Sequence, residues 1–441
     1  MSARSAHRAR PGHSDRCAAR AGARLRILGG CGLAAVFALL PAAGAVAASP
    51  APASNIGLFG SQDPTYDGVY RQSLAIIGLI ATGHTPDVPA VSWLLGQQCA
   101  DGAFTAYRAT PATTACTTAT EDENATAAAI QALTALGKPT TTAVAALKHF
   151  QLADGGFYDN TAFGPAASDA NSTGLALSAF AAAGVNPTTI TSATGKTGVD
   201  YLRTVQIACS AASGGGAFDF QGEATLHAND YASVQALLGV LGKAFPVAAS
   251  ASTGAAPACP GAVTDAGTSA TAAESYLAAR LTSTNGAIPS AFGGGTDWTT
   301  TANAVLDLEA SSTGAAAAAA GLAALVAHAA TYVKPAGVNA PGPLATLLLL
   351  AHASATDPAT FGGVDLAVVL ATIERTAAAA TPTPAPPSAT PIAVPRQPTL
   401  PATGSTDVRP LAAVAAGLVG LGLLSLTVSQ RRSGRRTSWP R

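Results

Sequence analysis

The sequence predicts an all-α domain of repeated helix pairs, set between an N-terminal segment and a C-terminal segment that are each apolar and basic. Three observations predict it. Gly-rich turns recur along residues 55–375, apolar residues between these turns recur three and four positions apart, and each end of the chain combines an apolar stretch with arginines. A repeat of this length with helical periodicity indicates helix pairs that bury their apolar faces by stacking on their neighbours.

The N-terminal segment has the composition of an export signal. Residues 1–26 contain seven arginines and one acidic residue, and an apolar stretch from Ile27 to Val46 follows. Ala45-Val46-Ala47 has the small-x-small pattern of a signal-peptidase site. Residues 1–47 are therefore predicted to be a signal peptide, and they take no part in the folded domain.

One helix of each predicted pair begins with polar residues and ends at a glycine. Asp, Asn, Ser or Thr supplies the N-cap, and the glycine adopts the positive φ that ends a helix. These units run from Tyr66 to Gly83, Glu121 to Gly137, Ser168 to Gly184, His227 to Gly242, and from Thr296 onward. The second helix of a pair is amphipathic and lies before a Gly-rich turn, as the apolar positions of Val91–Leu95, Val144–Phe150 and Val199–Val205 indicate.

The turns themselves carry a recurring motif. It is present in Gln98–Phe104 and Gln151–Phe157, in longer form in Gln206–Phe218, and in degenerate form at 285–288. This Gln-x3-Gly-x-Phe pattern resembles the QW motif of the prenyltransferase and squalene-cyclase repeat family, over roughly 57–374. The resemblance implies an α/α toroid whose inner helices line a central cavity, with the glutamines capping helix termini and the phenylalanines packed beneath.

The catalytic signatures of that family do not occur in this sequence. The Asp-x-Asp-Asp acid of the cyclases and the Cys-Gly-Glu-Gln thioester of complement-like relatives are both missing. The Asp, Cys and His set that holds zinc in prenyltransferases has no counterpart at ligand spacing. We therefore assign no catalytic residue, no metal ligand and no cofactor from the sequence.

Polar residues at the helix starts are the main candidates for a binding site. In a toroid, equivalent helix N-termini gather around one rim of the cavity, where they would face a polar or glycan ligand. The candidate rim residues are Asp122, Asn124, Asp169, Asn171, Asn229, Asp230, Asp297 and Trp298. The competing interpretation is helix capping, which needs one such residue per helix and stabilises it by roughly 1 kcal/mol.

A second group of acidic residues keeps an enzyme as the alternative. Glycosidases and lyases with α/α toroids use paired carboxylates, whose separation decides their chemistry. The candidates for such a pair are Glu121, Asp122, Glu123 and Asp230. Asp101 and Asp154 lie within the Gly-rich turns, so we interpret them as turn-forming residues.

Four cysteines remain in the mature chain, and an even number outside the cell indicates disulfides. Four cysteines allow three pairings, of which Cys99–Cys116 and Cys209–Cys259 is favoured because each pair lies within one repeat and its loop. Zinc is the alternative, but no pair has the Cys-x2-Cys spacing. The Ala-, Ser- and Gly-rich segment from Val247 to Thr271 is predicted to be a surface loop that Cys259 tethers.

The C-terminal region resembles the sorting signal of Gram-positive surface proteins. Residues 376–399 contain seven prolines and form a predicted wall-spanning linker. The motif Leu400, Pro401, Ala402, Thr403 and Gly404 follows, then an 18-residue apolar run at 411–428 and an arginine-rich tail within 400–441. The run is long enough to cross a bilayer, and the arginines retain its end in the cytoplasm. The resemblance implies that sortase cleaves after Thr403 and joins it to peptidoglycan; an ordinary membrane anchor is the alternative.

The charge distribution narrows the class of ligand. The formal net charge is zero, yet residues 49–399 contain 11 basic and 22 acidic residues, a net charge of −11. An acidic domain disfavours nucleic acid as a partner. The excess of arginine over lysine and the high alanine content are typical of a GC-rich, actinobacterial genome.

These observations predict a secreted, cell-wall-anchored and surface-displayed protein that acts as a non-catalytic binding or adhesion module. Its predicted partners are sortase, peptidoglycan and a surface ligand that the sequence does not name. The alternative is an extracellular enzyme, or a protein that binds a glycan, isoprenoid or corrinoid in the toroid cavity. An enzyme would have an open cavity with acidic residues facing each other across it. A non-catalytic display domain would have a cavity filled by apolar side chains.

Overall fold

The computed structural model describes residues 55–376, except 112, 163, 249–252 and 292. Within this range the chain is helical, joined by turns and isolated β-bridges, and it contains no β-strand. The prediction of an all-α domain is therefore confirmed for these residues. The predicted signal peptide, the linker beyond 376, the sorting motif and the apolar run 411–428 lie outside the described residues.

Twelve α-helices follow one another along the described residues. They are α1 Gly68–Ala81, α2 Val88–Gln97, α3 Glu123–Ala135, α4 Thr141–Leu147, α5 Ala170–Ala182, α6 Gly198–Thr204, α7 Asp230–Val240, α8 Ala266–Ser283, α9 Trp298–Ser311, α10 Ala315–Tyr332, α11 Pro341–Ala353 and α12 Leu366–Thr372. Short 3-10 helices occur at Lys148–Phe150, Pro187–Thr189 and Pro335–Gly337. The predicted closing glycines all have positive φ, at Gly83, Gly137, Gly184 and Gly242.

The odd-numbered helices contact one another in a cyclic order. Helix α1 packs on α3, α3 on α5, α5 on α7, α7 on α9, α9 on α11, and α11 returns to α1. The even-numbered helices lie against them: α2 on α1, α4 on α3, α6 on α5, α8 on α7 and α9, α10 on α9, and α12 on α11. We call the two sets the inner and outer helices. Inner helices are buried almost all round; in α11 only His352 is not buried.

Each Gly-rich turn is closed by its own glutamine. The side-chain Nε2 of Gln98 donates to the carbonyl of Gly102 at 3.1 Å, and Gln151 donates to Gly155 at 3.0 Å. Gln206 makes the same bond across its longer turn. The expectation that these glutamines cap helix termini is therefore wrong, because their amides bridge the turn itself. The motif phenylalanines are fully buried, as expected.

A hydroxyl on the following inner helix locks each turn in place. At the Gln151–Phe157 turn, Thr173 Oγ1 accepts the backbone N–H of Phe157 at 2.9 Å and donates to the carbonyl of Asp169 at 2.7 Å. Equivalent bonds join Thr126 to Phe104, Ser233 to Phe218 and Thr301 to Ile288. Each hydroxyl therefore ties the turn to the first turn of an inner helix.

One copy of the turn motif is divided between the two ends of the described chain. The N–H of Gly57 donates to Arg375 at 2.7 Å, and the N–H of Arg375 donates to Leu58 at 2.9 Å. Phe59 and Glu374 form the same bridge that Gln98 and Phe104 form within one segment. The cyclic order of inner helices is thus closed by backbone pairing between the N- and C-terminal segments.

Helices α5 and α7 approach closely at two glycines. A Cβ on Gly174 would lie 2.2 Å from the carbonyl oxygen of Gln235, and one on Gly239 would lie 2.4 Å from that of Gly174. Real Cβ atoms do not approach oxygen so closely. The two backbones therefore meet where neither helix carries a side chain.

The segment before α8 differs from the prediction. Asp265 and Thr268 form a capping box, and α8 begins at Ala266. The predicted surface loop from Val247 to Thr271 is therefore wrong over its last six residues, which are helical. Asp265 supplies the N-cap signal, but the Ala-, Ser- and Thr-rich composition obscured it.

Among the described residues, one segment is long and apolar enough to cross a membrane. It is Ala315–Gly337, which comprises α10 and the short helix after it, with a mean hydropathy of 1.6. Its alanine-rich sequence accounts for the high hydropathy. Helix α10 packs against α8 and α9 through Ala318, Gly321 and Leu325, so we assign it to the outer helices.

Both disulfides have the pairing that the sequence favoured. Cys99 bonds to Cys116 with Cα atoms 5.8 Å apart, and Cys209 bonds to Cys259 with Cα atoms 5.6 Å apart. The first disulfide braces the loop between α2 and α3. The second connects the turn before α7 to the segment before α8.

Candidate functional site

The first member of each predicted rim pair is a helix cap. The side chain of Asp122 accepts the N–H of Ala125 at 2.8 Å, and that of Asp169 accepts the N–H of Ser172 at 2.7 Å. Asn229 and Asp297 make the same bond at the starts of α7 and α9. Capping therefore accounts for these four residues.

Two of the second members contact outer helices. Asp230 receives hydrogen bonds from Arg280 Nη2 at 2.6 Å, from Arg280 Nε at 2.9 Å and from the hydroxyl of Tyr276. These bonds raise the pKa of Arg280 above its usual value. Trp298 stacks on His328 with ring centroids 4.6 Å apart. Each side chain therefore joins an inner helix to an outer one, Asp230 to α8 and Trp298 to α10.

The remaining rim residues, Asn124 and Asn171, have a different character. The side-chain oxygen of each is buried and has no hydrogen-bond partner among the described residues. Asn171 is 1 % exposed. Tyr231 and Thr299, which hold the same position in α7 and α9, line a small central cavity. Asn171 thus holds a buried acceptor without a hydrogen-bond partner among the described residues.

A small cavity lies between the inner helices. Its volume is about 20 Å³, roughly the space of one water molecule. It is lined by Tyr70, Arg71 and Leu74 of α1, Tyr231 and Gln235 of α7, Thr299 and Asn303 of α9, Gly342, Thr346 and Leu349 of α11, and Phe245.

Phe245 is the residue that reaches into this space from a loop. It lies after α7, and its backbone N–H donates to the side-chain oxygen of Gln131 on α3 at 2.9 Å. Its ring lines the cavity beside residues of four inner helices. The sequence does not indicate that Phe245 lines the cavity, because the loop after α7 lies outside the repeat motif.

Among the four candidate carboxylates, Glu123 is the most unusual. It is 0 % exposed, and neither oxygen has a hydrogen-bond partner among the described residues. Burial raises the pKa of its carboxyl well above the usual range, and the charges of Asp169, Asp159 and Asp122 raise it further. Asp230, the remote candidate, is engaged by Arg280 instead. The carboxylate of Asp230 is thus paired with a guanidinium, whereas the oxygens of Glu123 are buried without a partner among the described residues.

Glu121 lies on the surface, in a different setting from Glu123. Its carboxyl, that of Asp101 and the sulfur of Cys99 lie within 4.8 Å of one another. Cys99 is in a disulfide, so its sulfur is not a thiolate ligand. Burial and the charge of Asp101 raise the pKa of Glu121. Asp101 also accepts the N–H of Ala103, which confirms it as a turn-forming residue.

Two open grooves flank the loop that the first disulfide braces. One, of about 590 Å³, is lined by both cysteines of that disulfide, Asp101 and Glu121. The other, of about 400 Å³, is lined by Trp93 and Ile56 among others. Arg108 borders both, and its guanidinium donates to the carbonyls of Gly96, Gln98, Pro111 and Thr114. Sequence reasoning did not identify these grooves, since they depend on how the 99–116 loop folds back.

Comparison with known proteins gives little functional information. No known family and no curated protein matches the sequence. A solved structure described as a protein from Actinoplanes matches with 13 % identity and a TM-score of 0.41, over 68 % of this chain and 92 % of its own. A similarity at this level does not identify a function.

Proposed function

We propose that the protein is a surface-displayed, non-catalytic binding or adhesion module built on an α/α toroid. The cyclic order of inner-helix contacts supports the toroid, as does the turn motif, including its divided copy at Phe59 and Glu374. In this proposal the repeat domain is a rigid body that presents its outer surface to a ligand.

The small volume of the cavity at Tyr231 and Thr299 is the observation that carries the proposal. An α/α toroid that processes a glycan or an isoprenoid needs a cavity that admits it, and such sites commonly measure several hundred Å³. The space between the inner helices here is about 20 Å³, and Phe245 occupies its neighbourhood. Contact with a ligand is therefore proposed for the outer grooves.

The grooves beside the 99–116 loop are the proposed contact surface. Their volumes of about 590 and 400 Å³ suit a segment of an extended polymer, such as a glycan or a peptide chain. The Trp93 ring stacks with Tyr107 at a centroid distance of 6.3 Å and borders one groove. Aromatic rings that combine apolar faces with a polar edge are frequent at such contacts.

Display on the wall rests on the two ends of the sequence and on the disulfides. Disulfides form and persist in oxidising compartments, which supports export through the proposed signal peptide 1–47. The run 411–428 would then hold the precursor in the membrane while sortase joins Thr403 to peptidoglycan. The linker 376–399 would carry the domain through the wall.

Fractionation of cells tests the anchoring. The protein is expected in the wall fraction after muramidase digestion, with peptidoglycan fragments on Thr403 in the mass spectrum. In a sortase-deficient strain it should move to the membrane fraction. Recovery in the membrane fraction of both strains would contradict the proposal and favour an ordinary anchor.

A thermal-shift screen of the mature protein tests the binding function. The ligands are wall and exogenous glycans, peptides, isoprenoids and corrinoids. A ligand at a hundred times its Kd adds roughly 2.7 kcal/mol of stability, which is readily detected. Substitution of the groove residue Glu121 by Arg should reduce a genuine shift, whereas Lys138→Glu, at a residue just beyond the C-terminal end of α3, should not. A shift that Glu121→Arg leaves intact would contradict the groove as the site.

A further inference from the structure

The groove of about 590 Å³ beside the first disulfide contains a group of potential metal ligands. Cys99 Sγ and one carboxyl oxygen each of Asp101 and Glu121 lie within 4.8 Å of one another, and no other such group occurs among the described residues. Cys116, the disulfide partner of Cys99, lines the same groove. Two sulfurs and two carboxyl groups therefore lie together at the groove wall, although the sulfurs are bonded to each other in this structure.

Both acidic residues are held by contacts that do not involve the disulfide. The carboxyl of Asp101 accepts the N–H of Ala103 at 3.1 Å. The N–H of Glu121 donates to the carbonyl of Thr117 at 2.9 Å, and Glu121 forms a β-bridge with Thr105. Reduction of the disulfide would break none of these contacts, so both carboxyl groups would stay beside the cysteines.

The guanidinium of Arg108 holds the two cysteine segments together independently of the disulfide. It donates two hydrogen bonds to carbonyls within 96–98, just before Cys99, and two to carbonyls within 111–114, just before Cys116, at 2.8 to 3.2 Å. Arg108 is 8 % exposed, so water has little access to these bonds. After reduction, the two thiols would therefore remain close enough to bind one ion together.

We propose that reduction of the Cys99–Cys116 disulfide converts this part of the groove into a zinc site, with both thiolates and the carboxylates of Asp101 and Glu121 as ligands. A dithiol reductant transfers two electrons and two protons to the disulfide and itself becomes a disulfide. The two thiols then release their protons to water as Zn²⁺ binds. Exchange with an oxidised dithiol reverses the change, because both sulfurs become bonded to each other again and the ion is released.

The type and spacing of the ligand atoms select zinc. Thiolates favour zinc, whereas calcium and magnesium prefer sites made of oxygen atoms alone. Zinc accepts four ligands in a tetrahedron, whose donor atoms lie about 3.3–3.8 Å apart at the usual zinc–oxygen and zinc–sulfur distances. The present separations of up to 4.8 Å must therefore shorten by roughly 1–1.5 Å, which side-chain rotation supplies once the sulfurs are separate. This site does not depend on whether the groove also contacts a glycan or a peptide.

Metal binding before and after reduction tests the proposal. The mature protein is treated with a phosphine reductant, which is removed without air, and it is then titrated with Zn²⁺ and with Cd²⁺. The reduced wild-type protein should bind one ion per chain and show the ultraviolet charge-transfer band of a cadmium thiolate, whereas the oxidised protein should not. Equal binding by the oxidised and reduced proteins, or no binding by either, would overturn the proposal.

The second disulfide supplies a matched control. Among the described residues, neither Cys209 nor Cys259 belongs to a group of three potential ligands. Cys209→Ser with Cys259→Ser should therefore retain the zinc site, and Cys99→Ser with Cys116→Ser should lose it. The opposite result would assign the ion to the wrong disulfide and refute the proposal.

The contribution of the carboxylates is measured separately. Asp101→Asn and Glu121→Gln should each weaken the Zn²⁺ affinity of the reduced protein at least about tenfold, since loss of even an indirect partner of a metal costs about 10–100-fold. Asp154→Asn should leave the affinity unchanged. It is the matched control because Asp154 holds the position of Asp101 in the next Gly-rich turn and accepts the N–H of Gly156 at 3.0 Å. An affinity that neither Asp101→Asn nor Glu121→Gln changes would mean that the thiols act alone, which contradicts the four-ligand site.

Alkylation of the wild-type protein gives a result that does not depend on the folding of a variant. In the reduced protein, Zn²⁺ should slow the reaction of Cys99 and Cys116 with N-ethylmaleimide, because their thiolates are bound to the ion. Cys209 and Cys259 should react at the same rate with and without Zn²⁺. Mass spectrometry of the peptides identifies the labelled cysteines. Equal reaction rates with and without Zn²⁺ at Cys99 and Cys116 would overturn the proposal.

Discussion

At the residue scale, a single hydroxyl on an inner helix connects three parts of each repeat. Thr173 joins the cap of α5, the helix backbone and the Gly-rich turn at Phe157. The hydroxyl is fully buried, so both its bonds are made away from water. Capping residues were predicted from the sequence, but this link was not, since Thr and Ser also occur at many exposed positions.

Removal of that hydroxyl is expected to be costly. Thr173→Val keeps the shape of the side chain but leaves the buried N–H of Phe157 unpaired, which should cost about 1–3 kcal/mol. Urea denaturation measures the loss as a lower midpoint with an unchanged slope. Thr173→Ser keeps the hydroxyl and should lose less. Equal stability of Thr173→Val and the wild type would show that the turn finds another acceptor.

The buried acids make the stability depend on pH. Burial raises the pKa of Asp169 to about 7, although hydrogen bonds from Ser172 oppose this rise. The value in the unfolded chain is near 3.9, so between these two values the folded state retains a proton that the unfolded state releases. This contribution is fully present below about pH 4 and is lost as the pH rises to about 7, by up to about 4 kcal/mol.

We therefore expect the free energy of unfolding, measured in EDTA, to fall from pH 5 to pH 8. Asp169→Asn should flatten this dependence, because Asn caps α5 without titrating. Asp265→Asn is the matched control: it also changes a helix cap, but Asp265 is exposed and hydrogen bonds from Thr268 lower its pKa. A slope that Asp169→Asn leaves unchanged would assign the pH dependence to other groups.

The sequence predicted individual residues correctly where their role depends only on nearby backbone, as it does for helix caps. The caps at Asp122, Asp169, Asn229 and Asp297 depend only on the backbone next to them. The doubled residues have no common role, because their environments differ. Asp230 accepts hydrogen bonds from Arg280 of the outer helix α8, whereas the side-chain oxygen of Asn171 is buried without a partner among the described residues. Sequence spacing alone does not distinguish these environments.

At the scale of the elements, close helix contacts depend on glycines inside helices. Gly174 lies in the middle of α5, where glycine normally destabilises a helix by about 1 kcal/mol relative to alanine. Its position against the carbonyl of Gln235 gives the reason for its presence. The pattern of apolar residues predicts α5 correctly, but it does not indicate which glycine faces a neighbouring helix.

Gly174→Ala is expected to destabilise the protein in spite of the better helix propensity. Overpacking against the α7 backbone should cost about 1–3 kcal/mol or more, which exceeds the gain in propensity. Gly96→Ala in α2 is the control, since no atom lies within 4 Å of the added Cβ. It should be neutral or slightly stabilising. Differential scanning calorimetry compares the two, and similar melting temperatures would contradict the close approach.

The two disulfides brace loops of different length. They join cysteines separated by 17 and 50 residues. Loop-closure entropy predicts a loss of about 3 kcal/mol for Cys99→Ala with Cys116→Ala and about 4 kcal/mol for Cys209→Ala with Cys259→Ala. Chemical denaturation of both double variants measures the difference. A larger loss for the shorter loop would mean that local packing beside the grooves outweighs chain entropy.

The later helices were harder to predict than the earlier ones. Eleven of the 18 residues of helix α10 are alanine, so the helix shows little contrast between its faces, and its N-cap Gly314 offers no side chain. Helix α11 is buried all round and therefore lacks helical periodicity. The predicted units at α3, α5 and α7 instead have polar caps and closing glycines. Where one of these signals is missing, the boundary of a helix depends on tertiary contacts.

At the scale of the whole molecule, the cyclic order of helices requires that the chain ends meet. The repeat in the sequence predicted stacked helix pairs, but it did not identify the pairing of 57–60 with 373–375. Phe59 and Glu374 are too far apart in sequence for a motif search to join them. An open array of repeats has two exposed ends. Here the pairing of Phe59 with Glu374 joins the first and last repeats, so neither end is left without a neighbour.

Closure of the ring should therefore govern cooperativity. A protein shortened after residue 372 loses the backbone bonds that Ile373 and Arg375 make with residues 57–60. It also leaves Leu58 and Phe59, both at most 1 % exposed, without the segment that pairs with them. We expect a lower melting temperature, a broader transition and faster hydrogen exchange in 55–60 and α1. These changes follow because terminal repeats of an open array lack half their interfaces.

Arg375→Ala distinguishes the contribution of the Arg375 side chain from that of the backbone pairing between the N- and C-terminal segments. The guanidinium of Arg375 donates to the carbonyls of Gly60 and Gln62, while its backbone pairs with Gly57 and Leu58. The substitution should lower stability by about 1–3 kcal/mol yet preserve a single sharp transition, since the backbone pairing is retained. If the shortened protein unfolds as sharply as Arg375→Ala and at the same temperature, the cyclic packing of the helices does not depend on the backbone pairing of 57–60 with 373–375. The inner helices would then be held by their mutual packing alone.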